Sequence, residues 1–326
     1  MEDVPLPEPG AGEARVAVTA CGFCHTDLHY IDHGVATAKP PPIILGHEVS
    51  GKVDALGPGT DGVATGDRVL VPAVLPCGMC DLCRTGRENI CRNGRMVGNH
   101  IDGGFAEYVV VPAKDLVPLP SDVDPVQGCV IADALTTPYH AVVNRARVRP
   151  GESVVVIGCG GVGINVVQFA AASGARVTAV DLREDKLEAA RRLGATETVN
   201  PAQTPDVGRE VRRLWGDGAD AVFEVVGTPA TIALAFSTLR RGGRLCLVGY
   251  SAAMAELPAN RLMFLEQSVF GSLGCPPADY PRVVSLVRSK KVQLAPVVTG
   301  RVSLEEINTA AERLRQGQGF RTVVTP

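Results

Sequence analysis

The sequence predicts an α/β protein with one domain built on a parallel sheet and a second domain rich in short strands. Its 326 residues are enough for roughly two domains, each with its own core. From residue 150 onwards, apolar strand-like runs alternate with helical stretches, which is the pattern of a parallel sheet with right-handed crossovers. The first 135 residues instead hold short β-branched runs between glycine and proline turns, which indicates an irregular β-rich unit.

The β-rich part is predicted from β-branched runs at residues 15–19, 69–72 and 108–111. Gly-Pro-Gly at residues 57–59 and Gly-Asp at residues 66–67 are turn signals that separate these runs. We therefore expect short strands joined by irregular turns, and we find no internal repeat.

The parallel part is predicted from four buried strands and the helices between them. The strands are expected at residues 153–157, 176–180, 220–225 and 244–248. Helices are expected at residues 162–172, 184–193 and 231–239. After residue 274 we expect two further helices, at 279–289 and 303–316, and a last strand at 321–325.

Charge and cysteine content exclude several classes of protein. The chain has 32 Lys and Arg against 35 Asp and Glu, so no excess of positive charge favours a nucleic-acid partner. The absence of a long uninterrupted apolar run predicts no membrane partner, and the acidic start predicts no signal peptide. Of ten cysteines, four lie within residues 77–91, which predicts metal ligands rather than disulfides and a reducing, cytoplasmic location.

A glycine-rich turn predicts a Rossmann domain with a dinucleotide cofactor. The segment 158–163, Gly-Cys-Gly-Gly-Val-Gly, fits the G-x-G-x-x-G pattern, which is a weak signal when it stands alone. Here it follows a predicted strand and opens a predicted helix, so its backbone can approach a pyrophosphate at the helix N-terminus. The residues expected to bind the cofactor through this turn are Gly158, Gly160, Gly161, Val162 and Gly163.

Asp181 ends the next predicted strand, where a carboxylate accepts hydrogen bonds from the adenosine ribose and repels a 2′-phosphate. The cofactor is therefore predicted to be NAD, with NADP less favoured, although Arg176 and Arg183 could soften that preference. The alternative role of Asp181 is the N-cap of the following helix. Lys186 could also reach the ribose, or it could be a solvated lysine on that helix.

Cys77, Cys80, Cys83 and Cys91 supply four thiolates from one short segment. Four thiolates satisfy tetrahedral zinc and leave no open position, so the predicted site is structural. A set of unpaired cysteines is one alternative. A nucleic-acid-binding zinc ribbon is another, disfavoured by Asp81, Glu88 and the lack of interleaved aromatic residues.

Further motifs occur in a fixed order along the chain. They are GFCHTDLH at 22–29, GHEVSG at 46–51, GDRV at 66–69 and GGFAEY at 103–108, followed by the Rossmann turn. With the cysteine cluster, they make the whole chain similar to the zinc-dependent medium-chain dehydrogenase/reductase family, the alcohol dehydrogenases. The resemblance implies a GroES-like catalytic domain formed by residues 1–134 and 275–326, with a structural zinc lobe at 77–91, and a Rossmann domain formed by residues 135–274.

The resemblance also implies a second, catalytic zinc, and so two Zn²⁺ per chain. Its ligands fall on Cys24, His47 and Asp133, and Glu48 either alternates with solvent as a fourth ligand or supports the site from behind. Cys129 lies four residues too early to be the third ligand, so we assign it to packing. The spacing of Cys24 and His47 predicts nothing by itself.

In this family a hydroxyl residue bonds the reacting oxygen, and a histidine carries the proton towards solvent. These roles fall on Thr26 and His29, and His25 falls on a position that contacts the cofactor pyrophosphate. The alternative for His25 and His29 is an ordinary surface histidine. The remaining histidines carry no motif and are expected to be structural or to line a pocket; they are His33, His100 and His140.

The implied function is hydride transfer between a small-molecule alcohol and NAD, yielding an aldehyde or a ketone. The alternatives are a zinc-containing 1,4-reductase of conjugated carbonyls and a silent cofactor-binding relative. Segments 72–83, 132–142 and 271–281 are similar, more weakly, to dehydrogenases of a cyclic hydroxyacyl-CoA, so a cyclic acyl-CoA substrate stays open. Relatives form homodimers or homotetramers, often by continuing the Rossmann sheet, for which residues 262–273 are the candidate segment. Relatives also carry further chain before a segment like residues 2–5, so we expect an exposed sheet edge here.

Overall fold

Fifteen strands and eleven α-helices form within residues 2–326, which a computed structural model describes; Met1, the first residue of the predicted catalytic domain, lies outside them. The strands are β1 (Glu13–Phe23), β2 (Glu48–Leu56), β3 (Arg68–Val71), β4 (Val74–Leu75), β5 (Arg95–Met96), β6 (Tyr108–Pro112), β7 (Val117–Pro118), β8 (Ser153–Ile157), β9 (Arg176–Val180), β10 (Glu197–Val199), β11 (Ala219–Glu224), β12 (Leu239–Leu247), β13 (Ser268–Gly271), β14 (Val298–Ser303) and β15 (Arg321–Thr325).

The helices are short, the longest having ten residues. They are α1 (His25–Asp32), α2 (Asp81–Arg84), α3 (Pro125–Gly128), α4 (Thr136–Tyr139), α5 (Gly163–Ala172), α6 (Glu184–Arg192), α7 (Val207–Trp215), α8 (Pro229–Thr238), α9 (Ala259–Phe264), α10 (Tyr280–Arg288) and α11 (Ile307–Arg315). Short 3-10 turns lie at Glu88–Ile90, Ala113–Asp115, Cys129–Ala132 and Pro277–Asp279, and a π-helical turn lies at His140–Arg145. Within residues 2–326, no helix has the length and apolar character that crossing a membrane requires.

The chain divides into two units, of which the first contains residues 1–136 and 274–326. Its main sheet has seven strands in the order β14-β15-β1-β2-β3-β7, and β6 pairs with β1. Alternate residues of β1 are buried, and valines such as Val16, Val49 and Val109 pack together as the core of this sheet.

One corner of this sheet positions the candidate site. Gly22 of β1 stands opposite Glu48 of β2, and Phe23 stands opposite Thr322 of β15. The C-terminal end of β1 therefore lies between the first residues of β2 and β15. Helix α1 begins directly after this end of β1, at His25.

The second unit contains residues 137–273 and holds a six-stranded parallel sheet in the order β10-β9-β8-β11-β12-β13. Numbered within this unit, the order is 3-2-1-4-5-6, which is the doubly wound order of the Rossmann fold. All five residues of β8 are buried, as expected of a central strand with helices on both faces. The order reverses between β8 and β11, so the turn after β8 lies where such folds bind their cofactors.

The predicted helix at 303–316 is wrong in its first turn. Residues up to Ser303 form β14, which pairs in parallel with β15, and α11 begins only at Ile307. The strand carries Gly300 and Arg301 at its centre, so its sequence lacks a local strand signal. The conformation of β14 is therefore determined by its pairing with β15, which lies about twenty residues later in the chain.

Candidate functional site

Four potential metal ligands converge in the first unit. They are Cys24, His47, Glu48 and Asp133, and one ligand atom of each lies within 4.8 Å of those of the others. Cys24 precedes α1, His47 and Glu48 stand at the start of β2, and Asp133 follows the 3-10 turn at Cys129–Ala132. The structure thus brings together the residues predicted to hold the catalytic zinc.

Asp27 orients two of these candidate ligands, Cys24 and His47. Its carboxylate is fully buried and accepts hydrogen bonds from the backbone N–H of Cys24 (2.8 Å) and of Gly46 (3.3 Å). The same carboxylate lies 3.6 Å from Nδ1 of His47, so that its charge favours the tautomer whose Nε2 is available to a metal. The sequence did not predict a role for Asp27, although its place directly after Thr26 in the motif at 22–29 was an available signal.

The surroundings of His47 show whether a metal ion fits among these four residues. Its Nε2 is buried, lies 3.7 Å from Oδ2 of Asp133 and has no hydrogen-bond partner among residues 2–326. Burial lowers the pKa of His47, but Asp27, Asp133 and Cys24 outweigh burial and raise it well above its usual value. A buried nitrogen without a partner, surrounded by a thiol and carboxylates, is the environment that zinc satisfies. The residues present therefore fit zinc.

Glu48 is held by a buried arginine that sequence analysis missed. Nη2 of Arg321 lies 2.9 Å from Oε1 of Glu48, and both side chains are excluded from solvent. Arg321 also donates a hydrogen bond to the carbonyl of Phe23. Gly22 is required because a Cβ there would lie 2.0 Å from Oε2 of Glu48. Burial raises the pKa of Glu48 to about 7 although Arg321 lowers it, so the arginine offsets only part of the cost of burying this carboxylate.

The four clustered cysteines also meet. The Sγ–Sγ distances are 3.4 Å for Cys91–Cys77, 3.5 Å for Cys80–Cys83, 3.7 Å for Cys80–Cys91 and 4.0 Å for Cys77–Cys83. A zinc tetrahedron with bonds of about 2.3 Å has edges of about 3.8 Å, whereas a disulfide has an S–S bond of about 2.0 Å. The sulfur positions therefore fit a four-thiolate zinc and not a pair of disulfides.

Cys129 lies apart from the candidate ligands, and the predicted relay residues Thr26 and His29 both lie on α1. The buried thiol of Cys129 donates to the carbonyl of Val126 and lies outside the ligand cluster, in keeping with a packing role. Oγ1 of Thr26 lies 3.7 Å from Sγ of Cys24. His29 follows one turn later on α1, with its ring centroid 6.3 Å from that of the solvent-exposed His25.

Three histidines without a motif take separate positions. His33 contacts His29, with 2.8 Å between their Nδ1 atoms. Nδ1 of the exposed His100 accepts a hydrogen bond from the backbone N–H of Met96. His140 lies 3.0 Å from the side-chain amide of Asn144 in the second unit.

In the second unit, the glycine-rich turn joins β8 to α5 as predicted. A Cβ on Gly163 would lie 1.8 Å from the carbonyl oxygen of Gly158, so a glycine is needed for close packing of helix and strand. A Cβ on Gly160 would meet no protein atom within 4 Å, so packing within the protein does not require that glycine. No side chain caps α5, and the backbone N–H groups of Ile164 and Asn165 already donate to the carbonyls of Gly160 and Val162. A phosphate here would therefore be attracted mainly by the positive end of the helix dipole. The turn therefore fits a dinucleotide.

Asp181 lies beside this turn. Its carboxylate accepts hydrogen bonds from the backbone N–H of Cys159 (2.8 Å) and of Arg183 (3.0 Å). The N-cap alternative for Asp181 is wrong, because Arg183 occupies the N-cap position of α6. The solvated alternative for Lys186 is also wrong, since Lys186 is buried and burial lowers its pKa. The guanidinium of Arg183 pairs with Asp185 at 3.0 Å.

Known proteins are similar to this chain in sequence over nearly its full length. The family model described as an alcohol dehydrogenase GroES-like domain matches residues 10–121, and that of a zinc-binding dehydrogenase matches residues 161–289. The NAD-dependent alcohol dehydrogenase of Sulfurisphaera tokodaii is 33% identical over 337 residues, covering 100% of this chain and 96% of that protein. The chain belongs to the zinc-dependent alcohol dehydrogenase family.

Solved structures agree with this membership. The alcohol dehydrogenase of Aeropyrum pernix is 34% identical with a TM-score of 0.92, covering 100% of this chain and 96% of that chain. A zinc-binding dehydrogenase of Sinorhizobium meliloti, solved bound to NADP, is 32% identical with a TM-score of 0.90, covering 99% and 94%. The predicted combination of a Rossmann sheet and a GroES-like domain is confirmed. This dehydrogenase is thus an oxidoreductase, and its relatives do not favour the 1,4-reductase or the silent relative.

Proposed function

We propose that this dehydrogenase oxidises small-molecule alcohols to aldehydes or ketones with NAD and catalyses the reverse reduction. The observation that carries the proposal is that Cys24, His47 and Asp133 converge, with the buried Nε2 of His47 lacking a hydrogen-bond partner among residues 2–326. Helix α1, which Cys24 immediately precedes, also carries Thr26 and His29. Metal ligands and a proton relay on one element suit a reaction that removes both a hydride and a proton from an alcohol.

Each group of residues has a separate task in this proposal. Cys24, His47 and Asp133 would hold the catalytic zinc, and Asp27 orients the first two of them. When bound, zinc supplies a Lewis acid to the substrate oxygen and NAD supplies the hydride acceptor. Glu48, neutralised by Arg321, supports the site or serves as a further ligand.

Thr26 and His29 move the proton. The hydroxyl of Thr26 would accept a hydrogen bond from the substrate alcohol and donate its own proton onward. The O–H group of a threonine has a pKa far above neutral and is not ionised near pH 7, so it cannot serve as the final base. A histidine, in contrast, titrates near neutral pH. His29 is therefore proposed as the base that receives the proton at Nε2. His25 is proposed to bind the cofactor pyrophosphate.

We favour NAD over NADP for this chain. Asp181 would accept hydrogen bonds from the ribose hydroxyls, and its charge would repel a 2′-phosphate. The nearby guanidinium of Arg183 is already paired with Asp185 and offers less positive charge to that phosphate. Lys186 would support the same ribose, and the backbone of 158–163 would cradle the pyrophosphate.

Two zinc ions per chain are proposed, the second held by the four cysteines of the lobe at 77–91. Zinc at that site would have no open position and would stabilise the lobe. A cyclic acyl-CoA stays a candidate substrate on the sequence resemblance alone. A cytoplasmic location and a homodimer or homotetramer are proposed from the family.

A chelation experiment coupled to activity tests this function. NAD reduction would be followed with linear, branched, benzylic and cyclic alcohols and a cyclic hydroxyacyl-CoA, and with NADP in place of NAD. The enzyme would then be exposed to a chelator while zinc release and activity are measured on the same samples. We expect two phases of release, because a site with one thiolate binds zinc less tightly than one with four. Activity should vanish with the faster phase.

The matched variants are Asp133→Asn and Cys91→Ser. The first should abolish activity and remove the fast phase, whereas the second should remove the slow phase. Equal release rates for both ions would contradict the ligand assignments. A zinc-loaded protein that reduces neither NAD nor NADP with any alcohol would contradict the function.

A further inference from the structure

His29 and His33 form a close pair on the first unit. Their Nδ1 atoms are 2.8 Å apart and their ring centroids are 5.0 Å apart. The backbone supports the pair, since the N–H of His33 caps α1 by donating to the carbonyl of His29. At 2.8 Å only one of the two Nδ1 atoms can carry a proton, which then lies in a hydrogen bond between the rings.

The pair links a partly buried histidine to an exposed one. His29 is half-buried and His33 is exposed at the C-terminal end of α1. Because Nδ1 of His29 faces His33, a proton from the substrate would reach His29 at its other ring nitrogen, Nε2. An imidazole that accepts a proton on one nitrogen and releases it from the other can pass a proton along.

We propose that His33 is the outlet of the proton relay, which receives from Nδ1 of His29 the proton that alcohol oxidation delivers to Nε2. This inference rests on the proposed function. Before the step, His29 carries its proton on Nδ1 and His33 carries its proton on Nε2. A proton binds Nε2 of His29, the Nδ1 proton moves to Nδ1 of His33, and the Nε2 proton of His33 passes to water. One proton enters and one leaves, with no change in electrons, and carbonyl reduction runs the steps backwards. Exchange with water then restores both tautomers.

The charges around the pair suit this transfer. Burial and the neighbouring His33 both lower the pKa of His29, so that it does not retain the proton. Two protonated imidazoles at this distance would repel each other. Other charged groups near it include His25 and Asp32 on α1 and Arg315 on α11. Asp32 and Arg315 bond each other through two hydrogen bonds, so together they add little net charge.

Single-turnover formation of NADH by the zinc-loaded enzyme tests the outlet. His33→Ala should slow it about tenfold, which is less than the hundredfold or greater loss expected for a first proton acceptor such as His29. His33→Asn keeps a hydrogen-bonding group but cannot relay a proton, so it should be as slow as His33→Ala. Added imidazole should restore both, and KM should not change. His100→Ala, at another exposed histidine of the same unit, is the matched control and should behave as wild type.

The pH dependence of the reaction rate is an independent test of this proposal. His29 must be neutral to accept a proton, and loss of His33 removes a positive neighbour that lowers the pKa of His29. The acid limb of the rate profile should therefore move to higher pH in His33→Ala. A residue that only supports the helix would lower the rate evenly at all pH values and would not respond to imidazole.

NMR of the histidine side chains detects the pair independently of enzyme activity. We expect a proton shared by the two Nδ1 atoms, which should be lost in His33→Ala and kept in His100→Ala. If NMR shows no proton shared between the two rings, the proposal is overturned. If His29→Ala is slow and His33→Ala is not, the outlet is wrong and the proposed function stands. If the wild type reduces no cofactor, the proposed function fails, and the outlet fails with it.

Discussion

At the residue scale, Glu48 and Arg321 form a buried ion pair in the first unit. Both side chains are buried, and they come from strands that are far apart in the sequence. A buried ion pair adds little to stability by itself, but removing one partner leaves an uncompensated charge in a medium of low polarity. Arg321 is therefore expected to matter far more for stability than the arginines of exposed pairs.

Replacing Arg321 tests this expectation. Arg321→Leu should lower the free energy of unfolding by about 3–5 kcal/mol, the usual cost of orphaning a buried charge. Adding Glu48→Gln should recover part of that loss, since the charge is then removed as well. The measurement is urea unfolding of zinc-loaded protein. Arg288→Leu is the control, because its pair with Asp122 is half-exposed on both sides, and it should change stability little. An equal effect of Arg321→Leu and Arg288→Leu would refute the argument.

At the element scale, the turn between β8 and α5 uses its glycines for two different purposes. Gly163 lets the helix approach the strand, because a methyl group there would collide with the carbonyl of Gly158. Gly160 has no such constraint, since a methyl group there points away from protein atoms. One glycine therefore serves the fold, and the other is expected to serve the cofactor.

Two alanine substitutions separate these purposes. Gly163→Ala should lower the melting temperature by several degrees, because helix and strand must move apart, and should weaken NADH binding with it. Gly160→Ala should leave the melting temperature almost unchanged and raise the Kd for NADH about tenfold or more, because the methyl group occupies the place of the pyrophosphate. Thermal unfolding and NADH fluorescence titration measure the two effects. Unchanged NADH binding in Gly160→Ala would place the pyrophosphate elsewhere.

At the scale of the whole molecule, β13 is the last strand in the order of the parallel sheet. The helix before it exposes Met263 (64%) and Phe264 (76%). An unpaired strand edge next to exposed apolar side chains favours association with another chain. We therefore place the proposed contact between subunits at this edge.

Light scattering and sedimentation measure this association. Wild type should be a dimer or a tetramer, and Phe264→Glu should shift it towards smaller species because a charge is costly inside an apolar contact. Met79→Glu changes a comparably exposed methionine in the zinc lobe and should leave the mass unchanged. A monomeric wild type, or equal dissociation by both variants, would exclude this edge as the main contact.

The sequence predicted most where its signals were local. The four cysteines lie within residues 77–91, and the glycines of the turn lie within 158–163, so a short segment contains each site. The alternation of strands and helices after residue 150 predicted the parallel sheet, because the side chains of buried strands and of helices repeat with different periods. The candidate catalytic ligands required the family resemblance, since Cys24, His47 and Asp133 are too far apart for spacing to connect them.

The sequence by itself determined the fold class, the glycine turn and the cluster of four cysteines, and the family resemblance supplied the candidate catalytic ligands. Only the tertiary structure decided that β14 is a strand, that Arg321 neutralises Glu48, that Asp27 holds the ligands and that His33 meets His29. The physical reason is that burial and pairing of charges depend on which strands and helices lie side by side. Arg321 stands 273 positions after Glu48 in the chain, and the pairing of β1 with both β2 and β15 makes them neighbours.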